Sequence, residues 1–217
     1  MKKLTELVKE DPRIKKVYEY AKEKYDESNL TQHNFEHIIR VLYRALLISS
    51  TEKNVNLKIL IPATLLHDIG KTTKTHKNHA EVGVHFVKQI LPKFGYSQQE
   101  IEAICHCILT HNPHKAVNQL PKTLEAKILY DSDALEKSDL PSFYFHSRAQ
   151  YESKVPLEKF NKFVTVLQKK RIKHGFYTKK ASEIDNGGLK ERLKLHEDIS
   201  KILKKRKDII ATENDVW

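Results

Sequence analysis

Apolar positions recur three and four apart through most of the chain, the period of helices that bury one face. Leu4 and Leu7 predict a short helix over residues 2–10. Asp11-Pro12 is a restart signal, because Asp caps and Pro suits the first helical position. Ile14, Val17, Tyr18, Ala21 and Tyr25 then line one face of a helix reaching to about Ser28. After a loop over 28–32, a helix runs from His33 to about Thr51, with Phe35, Ile38, Leu42, Ala45 and Leu46 on its apolar faces. Residues 57–69 are apolar on nearly every side (Leu57, Ile59, Leu60, Ile61, Ala63, Leu65, Leu66), which predicts the central buried helix. Asn56 should cap it, Pro62 should kink it or shift its start, and Gly70 should be its C-terminal cap.

A polar loop over 72–78 precedes a helix from His79 to about Leu91, with Asn78 as the expected cap and Pro92 and Gly95 marking the next turn. Ser97-Gln-Gln-Glu100 is a capping box for a helix over 98–110. Pro121 to about Lys137 reads as another helix. Beyond 138 the pattern changes. Pro141 to His146 is aromatic and fits a short helix or an irregular cover, Leu157 to Ile172 is amphipathic, and Asn186-Gly187-Gly188 breaks the chain before a basic helix over 189–207. The fold class expected is all-α, a helical core over 1–140 with a basic C-terminal helical extension over 141–217 that covers a site or mediates association between copies.

The scarcity of Gly, six in 217 residues, and the dominance of Lys, Leu, Ile and Glu agree with helices. The formal charge is +11, and +7 of it lies from Tyr151 onward. A basic surface attracts phosphates of every kind without choosing among them. The two Cys, 105 and 107, are badly spaced for a bridge and argue against a disulfide-stapled secreted fold. With no apolar leader at Met1-Lys-Lys-Leu-Thr and no long apolar run, the expectation is a cytoplasmic protein without a membrane partner.

Nine of the twelve His lie between 33 and 114, inside the helical core. His33 and His37 are one turn apart on one helix face, and an inward imidazole in an apolar wall needs a partner. Imidazole and carboxylate without thiolate suit divalent Mn, Fe, Co, Ni, Mg or Zn at a site with open positions for water. His106 and its flanking Cys cannot share a helix face, so the two Cys read as a buried pair of small thiols rather than part of a zinc site. His76, His85, His114, His146, His174 and His196 read as solvated or structural. The runs Lys169-Lys-Arg171 and Lys204-Lys-Arg-Lys207 read as solvated helix faces, so nucleic acid is not the favoured partner.

His33-Asn-Phe-Glu-His37-Ile-Ile-Arg40-Val41, Leu65-Leu-His67-Asp68-Ile-Gly-Lys71, His79-Ala-Glu-Val-Gly83 and Tyr130-Asp131-Ser-Asp133-Ala-Leu135 follow one another in order. Together they resemble the HD superfamily of metal-dependent phosphohydrolases over roughly residues 30–140. The resemblance implies a metal held by His37, His67, Asp68 and Asp133, with Asp131 a neighbour and His33 a supporting or helix-start residue. It implies catalytic roles for Asp68, which orients an attacking water, for Lys71 and Arg40, which neutralise phosphate oxygens, and for His111, which with His79 could hold a second metal, contact phosphate or protonate the leaving group. Asn34 replaces the usual Asp of the first motif, a position the metal does not need; Asn112 stands where a second His of a pair is common, so one metal is expected rather than two. No GYP-type signature is present, which argues against cyclic-di-GMP hydrolysis. The expected activity is hydrolysis of a phosphoester or phosphoanhydride in a nucleotide or related small phosphate. The alternatives are a metal-dependent nuclease, like the HD nuclease domains of type I CRISPR systems, and a non-catalytic metal-binding sensor or interaction module.

Overall fold

The computed structural model describes residues 3–73, 78–111, 120–138 and 140–206, and among them the regular structure is helical throughout. His76, Asn112, His114 and Lys207, with most of the two polar loops expected at 72–78 and 112–120, lie outside the described residues.

The helices, in chain order, are α1 (Leu4–Glu10), α2 (Arg13–Asp26), α3 (Phe35–Ser49), α4 (Leu57–Leu66), α5 (His79–Ile90), α6 (Gln98–Thr110) and α7 (Leu124–Leu135). They continue with α8 (Pro141–Ser153), α9 (Leu157–His174), α10 (Lys179–Asp185) and α11 (Gly188–Lys205). Single 3₁₀ turns follow α4 at Ile69–Thr72 and α5 at Leu91–Phe94. No helix among the described residues is long and apolar enough to cross a membrane.

The centre is α4. Every residue from Ile59 to Leu66 is buried, and α2, α3, α6 and α7 pack around the helix. Each of its Leu and Ile side chains contributes about 1.5–3 kcal/mol by leaving water, so the sequence feature that marked it as central is also what holds it there. Asn56 caps α4, its side chain accepting from the Lys58 amide, and Ser97 with Glu100 forms the expected capping box of α6.

Four expectations need correction. Gly70 does not cap α4, which ends at Leu66, and its backbone is not left-handed. Gly70 is small because α5 crosses it: a Cβ there would lie 2.0 Å from the His79 carbonyl oxygen and 2.8 Å from the Gly83 nitrogen. Asn78 stands before α5 with a left-handed backbone and caps nothing through its side chain. The helix expected from Pro121 starts at Leu124, where the Thr123 hydroxyl accepts from the Ala126 amide. An unanticipated short helix, α10, precedes the Asn186-Gly187 break and packs on α7.

Helices α8 to α11 are joined to the rest by polar tethers as well as by apolar packing of Phe176, Ala181 and Ile184 on the core. Both carboxylate oxygens of Glu152, near the end of α8, are used: one accepts from the amides of Thr31, Gln32 and His33, and the other pairs with His33 Nδ1. The Asp131 carboxylate on α7 accepts from the amides of Tyr177 and Thr178 at 3.0 and 2.8 Å and from the Thr178 hydroxyl at 2.7 Å. Gln168 on α9 donates to the Lys137 carbonyl at 2.8 Å. α9 and α11 pack on each other, with buried His196 joined to Asn161 at 2.7 Å as a structural pair.

Candidate metal centre

Two helices end in the same way, and both endings aim an imidazole inward. The last carbonyls of a helix lack intrahelical partners. At the end of α4 the Thr64 carbonyl accepts from His67 Nδ1 at 2.7 Å. At the end of α6 the Ile108 carbonyl accepts from His111 Nδ1 at 2.6 Å. A carbonyl only accepts, so in each ring the proton is on Nδ1 and Nε2 carries the lone pair; that of His111 lies 3.2 Å from His79 Nε2. On α3, Asn34 caps through the His37 amide at 3.2 Å, and His37 Nδ1 donates to Glu136 at 3.3 Å. Arg40 and Arg44 both grip that Glu136 carboxylate, which is 1% exposed.

The freed nitrogens converge on carboxylates. His37, His67 and Asp133 form one group, and Asp68, His79 and His111 form another; within each, the ligand atoms lie within 4.8 Å of one another. Asp68 stands between the groups. Its Oδ2 is 3.6 Å from the Nε2 atoms of both His37 and His67, and its Oδ1 is 3.3 Å from His79 Nε2 and 3.5 Å from His111 Nε2. His37 Nε2 also lies 3.6 Å from Asp133 Oδ1.

The donor set fits a divalent ion. His37 Nε2, His67 Nε2 and Asp68 Oδ1 are buried and have no hydrogen-bond partner, an arrangement that costs free energy unless something is bound. The opposite nitrogens of His37 and His67 are each fixed by an oxygen, as in metal sites where an outer partner orients the ring. Burial lowers the pKa of His67 to about 3 and of His79 to about 2, so both imidazoles are neutral and able to ligate at pH 7. Burial opposes ionisation of Asp68 and Asp133, but Lys71 beside Asp68 and Lys137 beside Asp133 outweigh it and hold both carboxyls well below the usual range.

These groups open on a cavity of about 240 Å³. Asp68, Lys71, His111 and Asp133 line one side, and α9 lines the other with Phe160, Phe163 and Leu167. Lys71 Nζ is 3.2 Å from Asp68 Oδ2.

All six sequence-expected ligand candidates come together, as two facing triads rather than one tetrad with two outliers. Asp131 stands apart on the Thr178 tether. Arg40, expected at a phosphate, holds the Glu136 carboxylate and is not among the residues that line the cavity. Arg171, expected on a solvated face, turns inward and is 8% exposed. Glu136 and Lys137 escaped notice, although three and four residues after Asp133 they share its helix face; Lys137 Nζ lies 2.6 and 2.5 Å from the two Asp133 oxygens. Glu152 carries no sequence signal, since its partners are 119–121 residues away. Cys105 and Cys107 are buried free thiols, as expected.

An all-α bundle with His and Asp from five helix ends and faces gathered at its centre is the architecture of an HD domain. Residues 34–138 match that family, and the chain is an HD-domain protein. It is 31% identical over 109 residues to a protein of Clostridium beijerinckii, a match covering 49% of this chain and 66% of the relative. Three crystal structures share the fold. A protein of an uncultured Thermotogales bacterium, described as a predicted HD superfamily hydrolase, aligns over 94% of this chain and 99% of its own, with 23% identity and a TM-score of 0.63. Bacillus subtilis YpgQ, solved in complex with ADP, aligns over 91% and 95% with 21% identity and a TM-score of 0.60. A Lactobacillus plantarum protein aligns over 92% and 98% with 17% identity and a TM-score of 0.59. Alignments of this extent take in most of α8 to α11, so the cover belongs largely to the shared fold.

Proposed function

We propose that this protein is a divalent-metal-dependent phosphohydrolase that cleaves a phosphoester or phosphoanhydride of a nucleotide or related small phosphate. The observation that carries the reading is the pair of triads facing across Asp68, with orphaned lone pairs, at the wall of a cation-bearing cavity. His37, His67 and Asp133 would hold one ion, and Asp68, His79 and His111 would complete that site or hold a second. A divalent ion there supplies a lowered water pKa and Lewis-acid stabilisation of the phosphoryl oxygen.

The chain's own residues supply the rest. Asp68 reaches both triads, so it orients whatever lies between them. Lys71, beside Asp68, brings a point charge to phosphate oxygens, as Lys does at phosphate sites generally. His111, with Nδ1 already donating to a carbonyl, faces the cavity through Nε2. The wall formed by α9 excludes water from one side, which strengthens these charges.

The size and enclosure of the cavity favour a small phosphate over a nucleic-acid strand, which needs an open groove. YpgQ, which shares this fold, binds ADP, and a nucleotide is the small phosphate we propose here. The test is metal analysis of the purified protein with a phosphate-release screen over nucleotides in Mn, Co, Ni and Mg, wild type beside His67→Ala/Asp68→Ala. Metal and turnover in the wild type, both lost in the variant, are expected. Cleavage of single-stranded DNA without nucleotide hydrolysis would replace this reading with a nuclease, and metal without any turnover would replace it with a sensor.

A further inference from the structure

The partly buried arginines described above each have an acid. Arg13 pairs with Asp11 and Glu100, and Arg40 and Arg44 pair with Glu136. Arg171 differs. It sits in the last turn of α9, 8% exposed, and lines the cavity. Among the described residues it forms no ion pair with a carboxylate, and its hydrogen bond from Nη1 to Gln168 Oε1 is 3.5 Å long. The nearest acidic influence is Asp133, whose two oxygens are already taken by Lys137. Burying a guanidinium without a directly paired anion is unfavourable, and Gln168 and the nearby charge of Asp133 offset that only in part.

Position on α9 adds a second constraint. Phe160, Phe163, Val164, Leu167 and Arg171 follow at three- and four-residue steps, so they form one stripe along the cavity wall. The stripe is apolar for two turns and then cationic. A molecule lying along it meets the triads with one phosphate, Arg171 with another anionic group, and the phenylalanines with an apolar part.

We propose that Arg171 is the binding residue for a second phosphate of the substrate, so that this cavity selects nucleoside di- or triphosphates over monophosphates. The inference rests on the hydrolase reading for the site it shares. Guanidinium and phosphate match as a fork with two parallel hydrogen bonds, which a Lys cannot reproduce.

The test is equilibrium binding of ADP and AMP to the full chain with Mn, in wild type, Arg171→Gln and Arg171→Lys, with phosphate release measured beside it. Wild type should prefer ADP, and Arg171→Gln should weaken ADP roughly tenfold to a hundredfold while leaving AMP within about threefold, as loss of a charge-assisted pair implies. Arg171→Lys should keep part of the preference. Equal affinity for ADP and AMP in wild type would overturn the proposal without any variant. So would an equal weakening of both nucleotides in a folded Arg171→Gln protein. If Arg171→Gln does not fold, Arg171→Lys decides: an unchanged ADP preference overturns the fork. The hydrolase reading fails separately, on absence of phosphate release from every nucleotide, and an Arg171-dependent ADP preference would survive that failure.

Discussion

α4, through Asp68 just beyond its end, and α9 both border the cavity at the candidate metal centre, and they are built on opposite plans. α4 is buried on all sides from Ile59 to Leu66 and delivers His67 and Asp68 from a packed interior. α9 is amphipathic, with Phe163 half exposed, and lies over the cavity from outside. The helices around α4 are locked by apolar burial. The cover of α8 to α11 is joined to them by the carboxylates of Glu152 and Asp131 and the amide of Gln168, with Phe176, Ala181 and Ile184 adding apolar contact near α10. The difference separates two tasks. Ligands that must hold fixed geometry sit where packing is rigid. Residues that shape the substrate's surroundings sit where the attachment is polar and local opening is cheaper. Substitutions should separate in the same way, with core variants losing metal and cover variants keeping metal while changing substrate affinity.

The strongest break of that comparison is at Asp68, the carboxylate shared by both triads. Asp68→Asn keeps volume and should keep the fold, yet it removes the charge from both groups. Turnover should fall on the order of 10³-fold, as loss of several kcal/mol of electrostatic stabilisation implies, and metal content should fall with it. Unchanged metal by elemental analysis with unchanged turnover would place the chemistry elsewhere.

Glu136 tests the same half one step removed. Glu136→Gln leaves His37 in place but weakens the acceptor that fixes its tautomer, and removes the charge that Arg40 and Arg44 grip. Metal affinity should drop roughly 10- to 100-fold, the usual effect of removing an outer partner of a ligand. A calorimetric metal titration reads it, and an affinity equal to wild type would reduce Glu136 to a structural anchor for the arginines.

What was legible in the sequence follows the same division. α4, α6 and the ligand candidates were readable because burial and metal ligation impose local patterns: an apolar run, a capping box, a His-Asp doublet at a helix end. Asp133 separated from Asp131 by motif register alone, and the structure gives the two carboxylates different partners. The cover was less readable because its key contacts join distant positions. Glu152 meets His33 across 119 residues, and Arg171 looked like one more member of a lysine run. Gly70 was misread for a related reason. A glycine after a helix usually marks a cap, and only the crossing of α5 reveals that close approach is what excludes a side chain.

The smallest effects distinguish the two tethers of the cover, and their signs are opposite. Burial opposes ionisation of Glu152, but His33 and the backbone amides outweigh it and lower its pKa to about 2. A depressed carboxylate stabilises the folded state above its unfolded pKa, and that contribution is lost as pH falls from about 4.5 toward 2. Asp131 is the reverse. Burial raises its pKa to about 6 despite the Tyr177 and Thr178 hydrogen bonds. The folded state therefore binds its proton more tightly than the unfolded chain, and stability around Asp131 rises as pH falls from about 6 toward 4. Each tether should change by about 2 kcal/mol, given ~1.4 kcal/mol per unit and partial screening. Hydrogen exchange at single amides, corrected for intrinsic rates, can read both. Tyr177 and Thr178 should gain protection between pH 6 and 4, and Thr31, Gln32 and His33 should lose it below pH 4.5. The second change should vanish in Glu152→Gln and the first in Asp131→Asn. If all five amides instead responded together, the cover would open as one cooperative unit with the core, and the division between rigid ligand helices and a polar-tethered wall would not hold.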